Sequence, residues 1–161
     1  MIFTIIESNP SLCCVGFRDT KGNTVNYFIG SKLNDSGNII KMVKKHGIFC
    51  GYNIKKFDSI VLSYIMNNPG ASSGDIFEFS QNISSAISKE SHWDNEEYKL
   101  YSRMTTRIGY IDLQKINDLD STNLMKTAIS INVQDVTFLD TKKRDLSESF
   151  KDRLSEYVDR K

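Results

Sequence analysis

Residues 48–58 read IFCGYNIKKFD, and this stretch decides how the rest of the chain is interpreted. Ile48 to Tyr52 are mostly apolar or aromatic, which predicts a strand. Asn53 predicts a turn, because asparagine tolerates backbone conformations that most residues avoid. From Phe57 onward the apolar residues recur at helical spacing. A strand that turns into a helix in this way directs Phe57 into the core and Asp58 towards the crevice at the strand ends, where open α/β sheets bind ligands.

Three more strands are predicted before this stretch. Residues 2–7, 12–18 and 24–29 are rich in β-branched and aromatic side chains. The turn sequences Asn9–Ser11 and Asp19–Asn23 separate them. Short turns join antiparallel neighbours, so the chain is predicted to open with three antiparallel strands.

A short helix is predicted between the third strand and residue 48. Asn34–Gly37 is a good helix-start sequence. Gly47 is predicted to end the helix in the left-handed conformation of a C-terminal cap. Because the strand that begins at Ile48 follows a helix, it is predicted to lie parallel to the first strand.

Helices alternate with one further strand in the rest of the chain. The predicted elements are a helix over 57–66, a helix capped by 72–75, a strand over 108–113, and helices over 124–129 and 146–158. Residues 88–103 are polar, but Trp93 indicates that they pack against another part of the chain. This order predicts one α/β domain, residues 1–161, with a mixed five-stranded sheet (three antiparallel strands, then parallel ones) flanked by helices.

The charge balance excludes strong non-specific attraction to nucleic acid. The 161-residue chain has a formal net charge of +1, whereas such attraction usually accompanies a basic excess. Local basic patches remain at Lys44-Lys45, Lys55-Lys56 and Lys142–Arg144. Each patch is either a solvated surface or a contact for phosphate, and the sequence favours the first interpretation for Lys142–Arg144.

The cysteines and histidines do not form a zinc-binding pattern. The chain has three cysteines, Cys13, Cys14 and Cys50, and two histidines, His46 and His92, and it contains no C-x-x-C pair. Reduced, buried thiols in a cytoplasmic protein are the interpretation that this pattern favours. No apolar run reaches the roughly 20 residues of a membrane helix, so no membrane association is predicted.

Gly51 to Asp58 resembles the second exonuclease motif, G-[YH]-N-x-x-x-[FY]-D, of DEDD-type 3′→5′ exonuclease domains in phage-type DNA polymerases. Two other segments are similar to that family: the first strand, with its glutamate Glu7, and Gly109–Ile116, which resembles a segment before the family's last helices. The resemblance implies a ribonuclease-H-like fold. It also implies a groove for a nucleic-acid strand beside four residues, Asn53, Lys55, Lys56 and Phe57.

Members of this family hydrolyse a terminal phosphodiester with two divalent ions held by four carboxylates. The resemblance assigns two of these to Glu7 and Asp58, whereas Ile5 and Lys161 stand at the other two positions. Tyr157 matches the tyrosine of the third motif. The loss of two ligands predicts a domain that does not cleave and needs no cofactor, although an active form would require Mg²⁺ or Mn²⁺.

One alternative keeps a working site. A different register would let Asp112, at the end of a predicted strand, or Asp159, two residues after Tyr157, supply a missing carboxylate. The simpler interpretation of Asp112 is an ordinary surface carboxylate.

Three functional classes stay open. The first is a non-catalytic module in which Lys55 and Lys56 contact single-stranded nucleic acid while Tyr52, Phe57 or Tyr157 stack on bases. The second is a protein-interaction domain with a protein partner, since fold does not fix function. The third is an active nuclease with a rearranged site. The composition, rich in Asn, Lys, Ile and Ser, together with the motif forms, indicates a phage or mobile-element origin and the cytoplasm of a bacterial host.

Overall fold

The computed structural model describes residues 1–89, 92–105 and 108–113. Its strands are β1 (Ile2–Asn9), β2 (Leu12–Asp19), β3 (Thr24–Gly30), β4 (Leu33–Asn34), β5 (Ile48–Gly51) and β6 (Gly109–Asp112). Its helices are α1 (Ser36–Lys45), α2 (Asp58–Asn67), α3 (Ser73–Ser88) and α4 (Glu96–Met104). None of the helices in these ranges is long and apolar enough to cross a membrane.

The strands form one mixed sheet in the order β4-β3-β2-β1-β5-β6. Neighbours from β1 to β4 pair antiparallel, while β5 lies parallel to β1 and β6 lies parallel to β5. The predicted α/β class and the sequence of antiparallel and then parallel strands are confirmed. The predicted number of five strands is wrong, because the short segment Leu33–Asn34 pairs with Ile29–Gly30 as a sixth strand. Two residues are too few to show a strand periodicity in the sequence.

The β1–β2 hairpin provides the longest pairing in the sheet, with eight residue pairs from Ile2↔Asp19 to Asn9↔Leu12. Asn9 closes its turn, because the side-chain Oδ1 accepts hydrogen bonds from the amides of Ser11 (2.8 Å) and Leu12 (2.9 Å). This side-chain bonding explains why the Asn-Pro-Ser sequence forms a turn here.

One apolar cluster joins the sheet to all four described helices. Alternate side chains of the strands contribute one face of the sheet, as period-two alternation requires. Sheet residues of the cluster are Ile2, Ile6, Cys13, Val15, Phe17, Ile29 and Phe49. Helix residues of the cluster are Ile39, Val43, Ile60, Val61, Leu62, Ile65, Ile76, Phe79, Ile83 and Tyr98. The carboxyl ends of β1, β5 and β6 meet at one edge of this sheet, since the three strands are parallel.

The ends of α1 and α3 test the capping predictions. Ser72 caps α3 as expected, with a reciprocal pair of bonds between Ser72 and Asp75. The left-handed cap predicted at Gly47 is wrong. α1 ends at Lys45, and His46 is already extended (φ −109°, ψ 126°) while its amide donates to the Met42 carbonyl. The chain therefore enters β5 through an extended residue, without a left-handed C-terminal cap.

Several predicted elements fall outside the described residues. The helices predicted over 124–129 and 146–158 lie there, as does the basic run Lys142–Arg144. Within the described part, the polar stretch after residue 88 forms α4, whose N-cap Asn95 accepts a bond from the Tyr98 amide. Tyr98 is buried, which explains the packing that the aromatic residues of this stretch predicted.

Candidate functional site

The segment between β5 and α2, residues 52–57, forms a compact turn that we call the 52–57 loop. Asn53 adopts a left-handed backbone (φ 54°), which asparagine tolerates better than most residues. Its carbonyl oxygen accepts hydrogen bonds from the amides of Lys56 and Phe57, both at 3.2 Å. The carbonyl of Ile54 accepts the Ser59 amide at 2.9 Å, which ties the loop to the first turn of α2. The strand, turn and helix predicted from this stretch are confirmed.

Gly51 ends β5 at a crowded point. A Cβ atom placed there would lie 3.0 Å from the Thr4 carbonyl oxygen and 3.3 Å from Cβ of Ile54. The missing side chain therefore permits the close approach between β1, β5 and the 52–57 loop. This crowding gives a physical reason for the glycine in the first position of the motif.

Asp58 and Phe57 mark the start of α2. Asp58 is the first helical residue, and its carboxyl group is favourably placed near the positive end of the helix dipole. The side chain is only 7% exposed. Phe57 is partly buried against the apolar cluster, so it anchors the end of the loop. The predicted inward direction of Phe57 agrees with this contact.

Asp112 joins the 52–57 loop to β6. It is the last residue of β6 and lies level with Gly51 in the parallel register. Its Oδ2 atom accepts a hydrogen bond from the Lys55 amide at 3.1 Å. The side chain is 8% exposed, so the interpretation of Asp112 as a surface carboxylate is wrong. Burial, and after it the Asp112 carboxylate, raises the pKa of the Cys50 thiol.

Glu7 lies near the carboxyl end of β1 and is partly buried. It shares its sheet face with Ile5 two residues earlier, and it faces Cys14 across the hairpin. Ile5 is also partly buried. The position that the resemblance assigns to a metal-binding aspartate therefore carries an aliphatic side chain on the same face as Glu7.

The loop presents two charges to solvent. Lys55 and Lys56 are both exposed, while Tyr52 and Asn53 are partly buried. The Asn53 Oδ1 atom is buried, and the described residues offer it no hydrogen-bond partner. The structure thus brings Asn53, Lys55, Lys56 and Phe57 together with Asp58 and Asp112 at the carboxyl ends of β5 and β6.

The remaining site predictions concern residues that the structure does not describe. Tyr157, Asp159 and Lys161 all lie outside the described ranges, so their roles stay predictions. Among residues 1–89, 92–105 and 108–113, no group of three or more histidine, cysteine, aspartate or glutamate side chains is arranged to hold a metal ion.

The sequence did not reveal the hydrogen bond between Lys55 and Asp112 or the lack of space for a side chain at Gly51 beside the Thr4 carbonyl. Both depend on which residues of neighbouring parallel strands lie level. A fixed register between β5 and β6 is the signal that could have found the first, because it places the end of β6 beside the start of the loop.

The three cysteines, Cys13, Cys14 and Cys50, are buried and form no disulfide bond. Burial, together with a smaller effect of the Glu7 carboxylate, raises the pKa of the Cys13 thiol from 9.0 to about 12. Because the pKa of this thiol is higher in the folded protein than in the unfolded chain, its contribution to stability is fully present at pH values below the unfolded pKa. That stabilisation is lost as the pH rises from 9.0 towards about 12.

We therefore expect the stability advantage of the native protein over Cys13→Ala to shrink as the pH rises above 9.0, by at most about 1.4 kcal/mol per pH unit. Urea unfolding of both proteins at each pH measures it. Cys50, Tyr64 and Tyr98 also have raised pKa values, but they are present in both proteins and cancel in the difference. A constant difference across this range would contradict the assignment.

Comparison of the chain with protein-family models, with curated proteins and with solved structures gave no match.

Proposed function

We propose that the chain is a degenerate 3′→5′ exonuclease-like domain of ribonuclease-H-like fold that binds single-stranded nucleic acid without cleaving it. The observation that carries this proposal is the pair of exposed lysines, Lys55 and Lys56, on a hydrogen-bonded loop at the carboxyl ends of β5 and β6. The resemblance of residues 51–58 to an exonuclease motif supports it. So does the strand order, in which four antiparallel strands, β1 to β4, precede two parallel additions, β5 and β6.

The fixed backbone of the loop favours binding of a charged strand. A lysine ammonium attracts phosphate, and a loop that is already ordered loses less conformational freedom when a ligand binds. With a formal net charge of only +1, the whole molecule adds little attraction of its own. The local lysine pair should therefore dominate the affinity, which will be modest and dependent on salt.

The absence of cleavage follows from the ligands that the site offers. Two-metal hydrolysis places the ions about 3.5–4 Å apart between carboxylates. Ile5 offers no oxygen where the resemblance requires an aspartate. Glu7 and Asp58 remain as the two matching acids. No cofactor is needed for binding, and Mg²⁺ or Mn²⁺ would be needed only by an active form.

Neutralising both loop lysines is the test of this proposal. We expect Lys55→Gln with Lys56→Gln to lower the affinity for a fluorescent single-stranded oligonucleotide about tenfold, and to reduce the salt slope by roughly 0.7 per lysine. The matched control is Lys44→Gln with Lys45→Gln, which makes the same charge change on exposed lysines in the last turn of α1. Equal losses in the two double variants, or no binding by the native protein, would contradict the proposal.

An active nuclease with a rearranged site is a second candidate, favoured by one observation. Asp58, the first residue of α2, and Asp112, the last residue of β6, are both buried. A 3′-labelled DNA or RNA strand incubated with Mg²⁺ and then Mn²⁺ separates the two candidates. Cleavage that Asp58→Ala abolishes would establish the nuclease, whereas intact strands from both proteins support the binding module.

A protein partner is a third candidate, supported by exposed apolar side chains. Phe3 on β1 and Ile48 on β5 are 36% and 50% exposed and lie on the same face of neighbouring strands. Light scattering during size-exclusion chromatography tests whether the chain forms a stable oligomer through such a surface, and Ile48→Lys should then dissociate it.

The origin and location are inferred from composition. The content of Asn, Lys, Ile and Ser and the form of the motif support a phage or mobile element as the source. The absence of a disulfide bond among Cys13, Cys14 and Cys50 suits a reducing compartment, which for such a source is the cytoplasm of a bacterial host.

A further inference from the structure

We propose that Asp112 is a positioning residue that fixes the 52–57 loop and thereby holds Lys55 and Lys56 in place for phosphate; the lysine role rests on the function proposed above. The hydrogen bond that carries this inference joins the Lys55 amide to Asp112 Oδ2 at 3.1 Å and connects positions 57 residues apart in the chain. This bond connects the 52–57 loop to β6.

The position of Asp112 suits this role. Its backbone is held by the parallel pairing of β6 with β5, level with Gly51, where the loop begins. Its side chain is almost completely buried, so water competes little for the carboxylate oxygen. At 3.1 Å the bond has an ordinary N–H···O length, and a partly buried amide that loses its acceptor is costly to leave unpaired. The bond therefore fixes the backbone at the first of the two lysines.

The bond requires an acceptor oxygen but no negative charge. Asparagine keeps a carbonyl oxygen at nearly the same place, while leucine has a similar size and no acceptor. A metal-binding or proton-transferring carboxylate behaves differently, because asparagine abolishes both roles. The two substitutions therefore separate a positioning residue from a catalytic residue.

Loss of the acceptor has two consequences. The Lys55 amide loses its protein partner, so the loop opens more often and the amide exchanges faster with solvent. Both lysines then have to be ordered when a strand binds, which weakens binding while the number of positive charges stays the same. Affinity should fall without a change in the salt slope, unlike the result of removing the lysines.

The experiment compares the native protein with Asp112→Asn and Asp112→Leu. Amide hydrogen exchange at Lys55 reports the loop, and salt titrations with the fluorescent single-stranded oligonucleotide report binding. We expect Asp112→Leu to speed exchange and weaken binding, each about tenfold, which is within the range for leaving one partly buried amide without its acceptor. Asp112→Asn should stay within about threefold of the native protein in both. If the leucine variant does not fold, Asp112→Ala takes its place.

Each of the other possible results would contradict a different part of the proposal. Native-like exchange and binding by Asp112→Leu would overturn the positioning role and leave the proposed function standing, provided that the lysine variants still lose affinity. Equal losses by both Asp112 variants would show that the negative charge is needed to hold the loop, and would overturn the inference that an acceptor oxygen is sufficient. No binding by the native protein would overturn the proposed function and the lysine placement with it, while the exchange rates alone would still decide whether Asp112 fixes the loop.

Discussion

Phe49→Ala is expected to lower the free energy of unfolding by about 3–5 kcal/mol. Phe49 is completely buried in β5, between β1 and β6. Its ring lies 6.0 Å from the ring of Phe17, and both belong to the cluster that joins the sheet to the helices. Deleting the ring removes the favourable free energy of transferring it from water into the core, and it leaves a cavity that a central strand cannot close. Thermal unfolding should shift down by roughly 6–20 °C in a chain of this size.

The matched control lies one residue away on the same strand. Ile48 is 50% exposed and points to the opposite face of the sheet, so Ile48→Ala should cost less than about 1 kcal/mol. Chemical denaturation of both variants gives the comparison directly. Similar losses at the two positions would mean that β5 does not have its inner face towards the helices. The strand that leads into the 52–57 loop would then be placed wrongly.

Burial pattern explains which parts of the fold could be predicted from the sequence. β1, β2 and β3 alternate or concentrate their apolar residues over seven or eight positions, which is long enough to show the strand period. β4 has two residues, both exposed, and therefore shows no such pattern. Gly47 was expected to be left-handed because glycine often ends helices, but the chain leaves α1 through an extended His46. Local propensity was overridden there by the need to enter β5.

The candidate site could be predicted only as far as local sequence defines it. The turn at Asn53 and the start of α2 at Asp58 are local, and the structure agrees with both. The engagement of Asp112 with Lys55 is not local, because it depends on the register between β5 and β6 and on the path of the loop over their ends. Sequence periodicity indicates which face of a strand is buried, but it does not indicate which residues of two parallel strands lie level.

The second large effect is expected at Gly109, where β6 begins beside the residue that precedes β5. A Cβ atom added to Gly109 would lie 2.5 Å from the Gly47 carbonyl oxygen, which is closer than any relaxed contact. The obstructing atom belongs to the backbone, so the strands themselves have to move apart. We expect Gly109→Ala to lower the free energy of unfolding by about 2–3 kcal/mol, as measured by urea denaturation. Because β6 also carries Asp112, the Lys55 amide should exchange faster in this variant.

Gly47→Ala is the control, since it adds the same methyl group on the other side of this contact. The space around a Cβ atom at Gly47 is open, and its backbone is not left-handed. The control should therefore leave stability unchanged or raise it by up to about 1 kcal/mol through the unfolded chain. Faster exchange at Lys55 in Gly109→Ala but not in Gly47→Ala would show that the position of β6 controls the order of the loop. If the Lys55 amide exchanged at the native rate in both variants, the 52–57 loop would keep its shape when β6 is displaced. That result would contradict the positioning role of Asp112, although Asp112 itself is unchanged in both variants.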